Sequence, residues 1–282
     1  MNSGLLLCTD LDRTLLPNGP EPESVNARSH FRQLLNYAPI TLAFVSGRHR
    51  ALIEEAISEY ALPQPAYVIG DVGSTLYEVL NPGTWRKDLA WEAWIAVDWH
   101  GRSDLDLEAM FSDLPELRLQ EKEKQNRFKL SYYFPLDCDR KALEKNLRNR
   151  LSQSRIATNL IWSVDDAAGV GLLDLLPARA NKLHAIEFLM KRLGLGLSNT
   201  LFAGDSGNDL EVLVSPIPAV LVANAQPQIR REALRIAELR GNQDALYLAR
   251  GGFLYMNGNY SAGILEGLGH FHPGLIQHLA KV

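Results

Sequence analysis

The sequence predicts an α/β protein: a doubly wound, mostly parallel sheet with helices on both faces, and an α+β domain inserted into it. Short apolar runs at residues 5–8, 40–45, 67–70, 200–204 and 219–224 each end abruptly in polar residues or a turn. Runs of that length bounded by turn signals are the pattern of strands buried on both faces of a parallel sheet. Helical stretches separate the first and last of them, as alternating α and β elements require. Between residues 85 and 175 the texture changes to alternating strands and a basic helix. That stretch reads as an antiparallel sheet with helices of its own.

The chain of 282 residues is long enough for one large or two modest domains, and 46% hydrophobic with 22% charged residues is ordinary for a globular protein. A net charge of −4 leaves no nucleic-acid footprint. Cys8 and Cys138 lie far apart without metal-ligand spacing; Cys8 reads as a small core residue, and no disulfide framework is implied, which fits a reducing cytoplasm. Met1-Asn2-Ser3-Gly4 places no basic segment before the first apolar run, and no run approaches membrane-spanning length. A cytoplasmic protein without a membrane partner is the expectation.

The first strand ends in Asp10-Leu11-Asp12-Arg13-Thr14. Two carboxylates at a strand end stay ionised with a cation between them or donors around them, and oxygen-rich sites of this kind suit Mg²⁺. Taken alone, the pair is equally consistent with capping of the following turn. A turn-rich loop at 15–22 leads to a helix over 23–36. The second strand ends in Ser46-Gly47-Arg48, ahead of a helix over 50–60; hydroxyl, glycine and helix start together form an anion cradle, and an ordinary serine N-cap is the alternative. The third ends in Asp71-Val72-Gly73-Ser74, read as a flexible turn that lets backbone approach a ligand. Asn81-Pro82-Gly83 is a strong breaker, and the domains are assigned as 1–82 and 177–282 for the core and 83–176 for the insert.

Within the insert, Trp85, Trp91, Trp94 and Trp99 crowd together, as an aromatic core or, alternatively, a sugar-stacking surface. Glu121-Lys122-Glu123-Lys124 reads as a solvated face. Residues 128–134 alternate as a strand with one exposed face, placing Lys129, Ser131 and Tyr133 together. A helix with Leu143, Leu147 and Leu151 on one side and a hairpin at 160–164 and 170–175 complete the insert. Asn181 then caps a helix over 182–193. Lys182 in its first turn opposes the helix dipole, for which a phosphate is one reason and an incidental surface lysine another. The strand at 200–204 ends in Asp205-Ser206-Gly207-Asn208-Asp209, a second acidic cluster. The strand at 219–224, a helix over 226–239 and a last helix at 260–268 finish the chain.

In an open parallel sheet, ligands bind beyond the carboxyl ends of the strands. One such mouth gathers Asp10 and Asp12, Ser46, Gly73 and Ser74, and Asp205 and Asp209, with Lys182. A divalent-metal site, a phosphate cradle and a spare carboxylate are what phosphoryl transfer through a covalent aspartyl intermediate needs.

Asp10-Leu11-Asp12-Arg13-Thr14, the strand end at Ser46, Lys182 and Gly204-Asp205-Ser206-Gly207-Asn208-Asp209 resemble the four motifs of the haloacid dehalogenase superfamily, in the order of members with a cap inserted between the second and third motifs. Val72-Gly73-Ser74 with Tyr77, Lys129-Leu130-Ser131-Tyr132, Asp174-Leu175-Leu176-Pro177 running to Asn181-Lys182, and Ser261-Ala262-Gly263-Ile264-Leu265-Glu266 resemble its sucrose-phosphate phosphatase branch. The resemblance implies a haloacid dehalogenase-like core and a Mg²⁺-dependent phosphatase acting on a disaccharide phosphate such as sucrose 6-phosphate. It implies Asp10 as nucleophile and Asp12 as acid and base. Mg²⁺ would be held by the Asp10 carboxylate, the Asp12 carbonyl and Asp205, with Asp209 in support. Ser46 and Lys182 would hold the phosphoryl group. Gly47, Arg48, Gly73, Ser74, Asn208 and the cap residue Lys129 would contact substrate. Other substrates in view are mannosylfructose phosphate and trehalose phosphate, and a phosphomutase is possible on the same scaffold. A non-catalytic sugar-phosphate binding module is a further reading, and a sucrose-phosphate synthase is a possible partner. Arg13 departs from many relatives, which have Gly or Asn there.

Overall fold

The first apolar run forms a completely buried strand, and the rest of the molecule is laid out on either side of it. The structure, a computed structural model, describes residues 4–165 and 168–276. The residues read above for a leader, 1–3, and positions 166–167 in the hairpin lie outside the described residues, as do 277–282. In chain order the strands are β1 (Leu5–Thr9), β2 (Ile40–Val45), β3 (Tyr67–Gly70), β4 (Thr75–Asn81), β5 (Thr84–Lys87), β6 (Arg118–Leu119), β7 (Leu130–Phe134), β8 (Thr158–Asp165), β9 (Val170–Pro177), β10 (Thr200–Gly204), β11 (Ala219–Leu221) and β12 (Leu246–Leu248). Eight of them form one sheet in the order β12-β11-β10-β1-β2-β3-β4-β5, and four form another in the order β6-β7-β9-β8.

From β12 to β3 the large sheet is parallel, and β4 and β5 extend it antiparallel. Cys8 pairs with Ala43 on β2 and with Phe202 on β10. From β1 the chain runs outward to β2 and β3 on one side and returns on the other through β10, β11 and β12. The carboxyl end of β1 is therefore the switch point at which a crevice opens.

The period of two along each strand sorts side chains between two cores. Leu5 and Leu7 of β1, Leu42 and Phe44 of β2 and Leu201 of β10 pack with helices Ala27–Tyr37, Arg50–Glu59 and Ser261–Phe271. Leu6, Cys8, Ala43, Val45 and Phe202 pack on the opposite face with helices Lys182–Leu193 and Pro227–Arg240. That second core runs on without a break into Trp91, Trp99, Phe128, Leu130, Tyr132 and Leu173 of the inserted segment. Trp91 and Trp99 are fully buried, and the indole N–H of Trp91 donates to the Gly73 carbonyl at 3.1 Å. Trp91 also meets Phe188 edge-on at 5.2 Å. Trp91 and Trp99 are thus a core that fastens the insert to the main sheet, while Trp94 is exposed and Trp85 packs in the opposite core from β5.

Several boundaries shift for identifiable reasons. The helix expected from residue 23 begins at Ala27, because Glu23 is held by Arg28 at 2.6 Å, Ser24 accepts from the Asn257 N–H, and Asn26 is left-handed at φ 67°. The strand expected to reach residue 224 ends at Leu221, since the Asn224 side chain turns away to bond the Arg13 carbonyl and the Tyr260 N–H. β7 begins at Leu130 because Asn126 folds residues 126–129 into a turn of its own. Asn81-Pro82-Gly83, expected as a domain boundary, joins β4 to β5 as a hairpin within one sheet. We propose the division between core and insert after Lys87.

The turn at 71–74 is tight, where flexibility was expected. Asp71, Val72 and Gly73 have φ of 51°, 61° and 98°, a left-handed run that a β-branched residue such as Val72 enters only at a cost. It persists because it is packed: a Cβ on Gly73 would lie 2.5 Å from the carbonyl carbon of Asn181. Gly73→Ala should lower the melting temperature by several degrees, on the order of 2–4 kcal/mol from overlap and backbone strain together. Scanning calorimetry checks this; a melting temperature within a degree of the parent would remove Gly73 from this role.

Candidate active site

Asp10 continues β1 by donating its N–H to the Ala203 carbonyl of β10 at 2.9 Å, which fixes its backbone between the two motif-bearing strands. Asp205 and Asp209 follow β10, and one carboxylate oxygen from each of Asp10, Asp205 and Asp209 lies within 4.8 Å of the others. All three are buried. The two acidic clusters, almost two hundred residues apart in sequence, therefore form one site.

Lys182 enters this cluster from the first turn of its helix, which Asn181 caps by accepting the His184 N–H at 2.8 Å. It is 3% exposed. Its Nζ donates to Asp10 Oδ1 at 3.1 Å, Asp209 Oδ1 at 2.7 Å and Asn208 Oδ1 at 3.1 Å, matching an ammonium's three donors with three acceptors. Burial opposes its charge, but Asp10 and Asp209 more than offset that and push its pKa up. The incidental surface lysine is thereby excluded.

The acidic residues divide by how they are held. Asp209 Oδ2 accepts from the N–H groups of Asp205 and Ser206 and from the Ser206 hydroxyl, and its Oδ1 takes Lys182, so Asp209 is occupied in shaping the loop. Asp205 accepts from Thr14 Oγ1 at 3.2 Å and faces Arg13 Nε at 3.6 Å. Burial, with the charges of Asp209 and Asp205, raises the Asp10 pKa against the pull of Lys182. Burial and Asp209 push Asp205 up to about 7, with Arg13, Thr14 and Lys182 pulling the other way. Buried carboxylates driven toward protonation are what remains when a cation is owed to the site, and hard oxygen donors suit Mg²⁺. The donor set fits that ion: Asp10 and Asp205 would hold it, and Asp209 would support them.

Asp12 is placed differently. Its carboxylate leaves the acidic cluster and is gripped by Arg48, whose Nε and Nη2 donate at 2.9 and 2.6 Å, while Asn18 donates at 2.7 Å. Burial raises its pKa, and the Arg48 hydrogen bonds and charge, helped by Asn18, outweigh burial and hold it below the usual range. As a metal ligand Asp12 therefore has its backbone carbonyl to offer, its side chain being engaged elsewhere. Arg48, expected on substrate, lines the cavity and pairs with Asp12 there.

Ser46 is fully buried and accepts the Arg48 N–H at 3.2 Å. It is not the N-cap of the helix that follows, since His49 occupies that position. Its hydroxyl proton is left to donate.

A cavity of 370 Å³ lies over these groups, lined by Asp10, Asp12, Gly47, Arg48, Asp205 and Asn208 from the core and by Lys129 from the insert. Gly73 and Ser74, expected at the substrate, do not line it. Gly73 packs on Asn181 and its carbonyl accepts the Trp91 indole N–H, and the Ser74 hydroxyl donates to Asp71 O while accepting from Asn126 Nδ2 at 3.2 Å, so both join core to insert. On the insert side Lys129 is 6% exposed, with its Nζ 3.8 Å from Asp174, which also accepts from Ser131. Gln120, Lys124 and Asp174 line the cavity as well and went unassigned as site residues. Lys124 belongs to the charge run expected to be a solvated face; it instead donates to Tyr133 Oη at 2.9 Å. The alternation that placed Lys129, Ser131 and Tyr133 on one face was the available signal for it.

A mostly parallel sheet whose central strand ends in a buried carboxylate, joined by a lysine and a second acidic loop under an inserted sheet, defines a hydrolase of the haloacid dehalogenase type. The family model described as sucrose-6F-phosphate phosphohydrolase matches residues 3–272, and the chain belongs to that family of phosphoric monoester hydrolases. It is 54% identical over 97% of its length to a protein of Nitrosococcus oceani described only as a HAD-like hydrolase, covering 73% of that protein. It is 29% identical over 96% of its length to sucrose-phosphatase 1 of Nicotiana tabacum. The chain spans about three-fifths of that relative, 60% of its length. A mannosylfructose-phosphate phosphatase of Agrobacterium fabrum matches at 28% identity over 94% of this chain and 96% of its own. Among solved structures, the sucrose-phosphatase of Synechocystis sp. PCC6803, in complex with sucrose and phosphate, superposes with a TM-score of 0.70 at 26% identity, covering 95% of this chain and 97% of that one.

The raised Asp205 carboxyl sets a pH dependence for the metal-free protein. Between 3.8, its ordinary value, and about 7, the folded chain holds a proton that the unfolded chain has released. Stability therefore falls as pH rises through that window and levels off above it. Urea melts in EDTA should show lower stability at pH 8 than at pH 5 from this site, and saturating Mg²⁺ should recover most of the difference. Equal Mg²⁺ effects at both pH values would contradict the assignment.

Proposed function

We propose that this chain is a Mg²⁺-dependent phosphatase that hydrolyses a disaccharide phosphate, with sucrose 6-phosphate first among the candidates. The convergence of Asp10, Asp205 and Asp209 around Lys182 carries the reading. Mg²⁺ at Asp10, Asp205 and the Asp12 carbonyl would neutralise the phosphoryl oxygens and orient them. An Asp10 carboxylate oxygen attacks phosphorus, the bond from phosphorus to the sugar oxygen breaks, and that oxygen takes a proton from Asp12. Water then attacks the aspartyl phosphate, Asp12 takes the water's proton, and the bond to Asp10 breaks to release phosphate. Ser46 and Lys182 donate to the phosphoryl oxygens throughout. Lys129, with Asp174, Gln120 and Lys124, faces the sugar.

Two features support catalysis over mere sugar-phosphate binding: every charged group of the mechanism is present, and Lys182 is already in contact with Asp10. The nearly equal identities to a sucrose-phosphatase and a mannosylfructose-phosphate phosphatase favour the latter substrate as the second reading. The same reading takes a sucrose-phosphate synthase as the partner that supplies the ester, and a cytoplasmic setting; no described helix is long and apolar enough to cross a membrane.

Phosphate release over a panel of sucrose 6-phosphate, mannosylfructose phosphate, trehalose 6-phosphate and glucose 6-phosphate tests the reading. Disaccharide phosphates should exceed the monosaccharide in kcat/KM by at least tenfold, and Asp10→Asn should lower kcat at least about a thousandfold. Full turnover in Asp10→Asn would end the covalent mechanism. Lys129→Ala should raise KM about tenfold with a smaller change in kcat; an unchanged KM for every sugar would remove Lys129 from recognition.

Arg48 makes a separate prediction. Its grip favours the ionised Asp12 that the second step needs and opposes the protonated Asp12 that the first step needs. Arg48→Gln should move the limb of the pH–rate profile that reports Asp12 to higher pH, with kcat reduced about tenfold or more. An unshifted profile would mean that Arg48 lets go of Asp12 before the chemistry begins.

A further inference from the structure

Lys182 answers the charge of Asp10 and Asp209, but its three donors leave none for Asp205. The cation nearest Asp205 is Arg13, the residue that departs from the motif. Arg13 sits in the left-handed region at φ 58°, and its backbone is pinned on both sides: its N–H donates to Asn18 Oδ1 at 2.8 Å, and its carbonyl accepts from Asn224 Nδ2 at 2.6 Å. Asn224 is itself fixed by accepting the Tyr260 N–H at 2.9 Å. This framework delivers the guanidinium to the acidic cluster. Arg13 Nε lies 3.6 Å from Asp205 Oδ2, is buried, and has no hydrogen-bond partner. Nη2 reaches the Asn224 carbonyl at 3.5 Å and stands 3.9 Å from Glu21 Oε1.

We propose that Arg13 is a resident counter-charge for Asp205, a positioning residue that holds this carboxylate at the site before the divalent ion arrives and weakens the ion's hold once it is there. The inference rests on the reading of Asp205 as a metal ligand. Formally, three carboxylates face two cations, Lys182 and Arg13. A divalent ion then enters a cluster with one uncompensated negative charge, where a neutral side chain at position 13 would leave two. The distance decides the type of interaction. At 3.6 Å without a hydrogen bond, the guanidinium supplies field and leaves the Asp205 oxygen uncommitted, so that oxygen can turn to a metal without first breaking a bond. Glu21, 3.9 Å from Nη2, competes with Asp205 for the guanidinium.

The charge has two consequences of opposite sense. Without metal, Arg13 relieves repulsion among the carboxylates and stabilises the fold. With metal, two positive centres share Asp205 and the ion binds more weakly.

Mn²⁺ binding by electron paramagnetic resonance, together with thermal melts in EDTA and in saturating Mn²⁺, tests this on the full chain. Arg13→Asn keeps a residue type that tolerates the left-handed backbone. It should bind Mn²⁺ at least threefold more tightly than the parent, melt lower in EDTA, and show a larger metal-induced rise in melting temperature. Arg13→Lys should return the affinity to within twofold of the parent. Glu21→Gln, which keeps an acceptor for Tyr260 while freeing the guanidinium for Asp205, should shift Mn²⁺ affinity the other way, to weaker binding. If the parent binds Mn²⁺ and Arg13→Asn binds it equally or less tightly, the counter-charge role is wrong while the metal site stands. If the parent binds no Mn²⁺, the metal reading fails and takes this inference with it.

Discussion

The buried ammonium of Lys182 is the interaction on which the rest depends. It comes from the first turn of a helix, where a cation is disfavoured by the dipole, and it is almost wholly removed from water. An isolated charge so placed would cost several kcal/mol, and truncating one partner of such a pair typically costs 3–5 kcal/mol. Three acceptors from two segments of the chain make it tolerable: Asp10 after β1, and Asn208 and Asp209 after β10. The contact therefore fixes the two acidic strand ends relative to each other before any ligand binds. Its position is set in turn by Asn181 at the helix start, and Asn181 packs on the left-handed turn at Gly73. A strained turn that does not line the cavity thus has a reason to persist, because relaxing it would move the base of the lysine.

The same turn is where the inserted sheet is attached. The Gly73 carbonyl holds the Trp91 indole, and Ser74 meets Asn126. One continuous apolar cluster passes from β1 and β2 through Trp91 into β7 and β9. The insert is seated on the rigid part of the core, and its polar face, with Lys129 and Asp174, is turned over the cavity. The acidic strand ends belong to the large sheet, and the polar side chains that line the cavity from the other side come from the segment that carries the small one.

Much of this was legible in the sequence because the pattern that signals a parallel strand also marks its carboxyl end. Asp10, Ser46 and Asp205 could be placed at one mouth from run lengths alone, and β1, β2, β3 and β10 lie where their apolar runs put them. What escaped was set by side chains reaching across the fold. Asn224 ends a strand early by bonding Arg13, and Ser24 delays a helix by bonding Asn257. Neither partner is near in sequence. β12 is only three residues long, and β5 follows a Pro-Gly turn that looks like a boundary and is a hairpin. Arg48 carries the right chemistry for an anion and lines the cavity, but its pairing with Asp12 could not be read from the sequence. Local pattern identifies the group, and only the tertiary structure says which opposite charge it meets.

On the proposed reading, this pairing of charges would govern how a phosphate ester enters. Each cation described around the cavity already has an acidic partner: Lys182 with Asp10 and Asp209, Arg48 with Asp12, Arg13 with Asp205, Lys129 with Asp174, and Lys124 with Glu121. The pocket is accordingly not a bare positive patch awaiting an anion. A phosphate gains from these cations chiefly by displacing a carboxylate, and the displaced carboxylate needs somewhere to go. On the proposed reading, Asp10 and Asp205 would hold a divalent cation that supplies their counter-charge, leaving Lys182 able to turn toward a phosphoryl oxygen. Asp12 would part from Arg48 by carrying the proton that it then gives to the sugar oxygen. On that reading, the internal pairing that holds the site together would also make it selective for a ligand that comes with both a counter-ion and a leaving group.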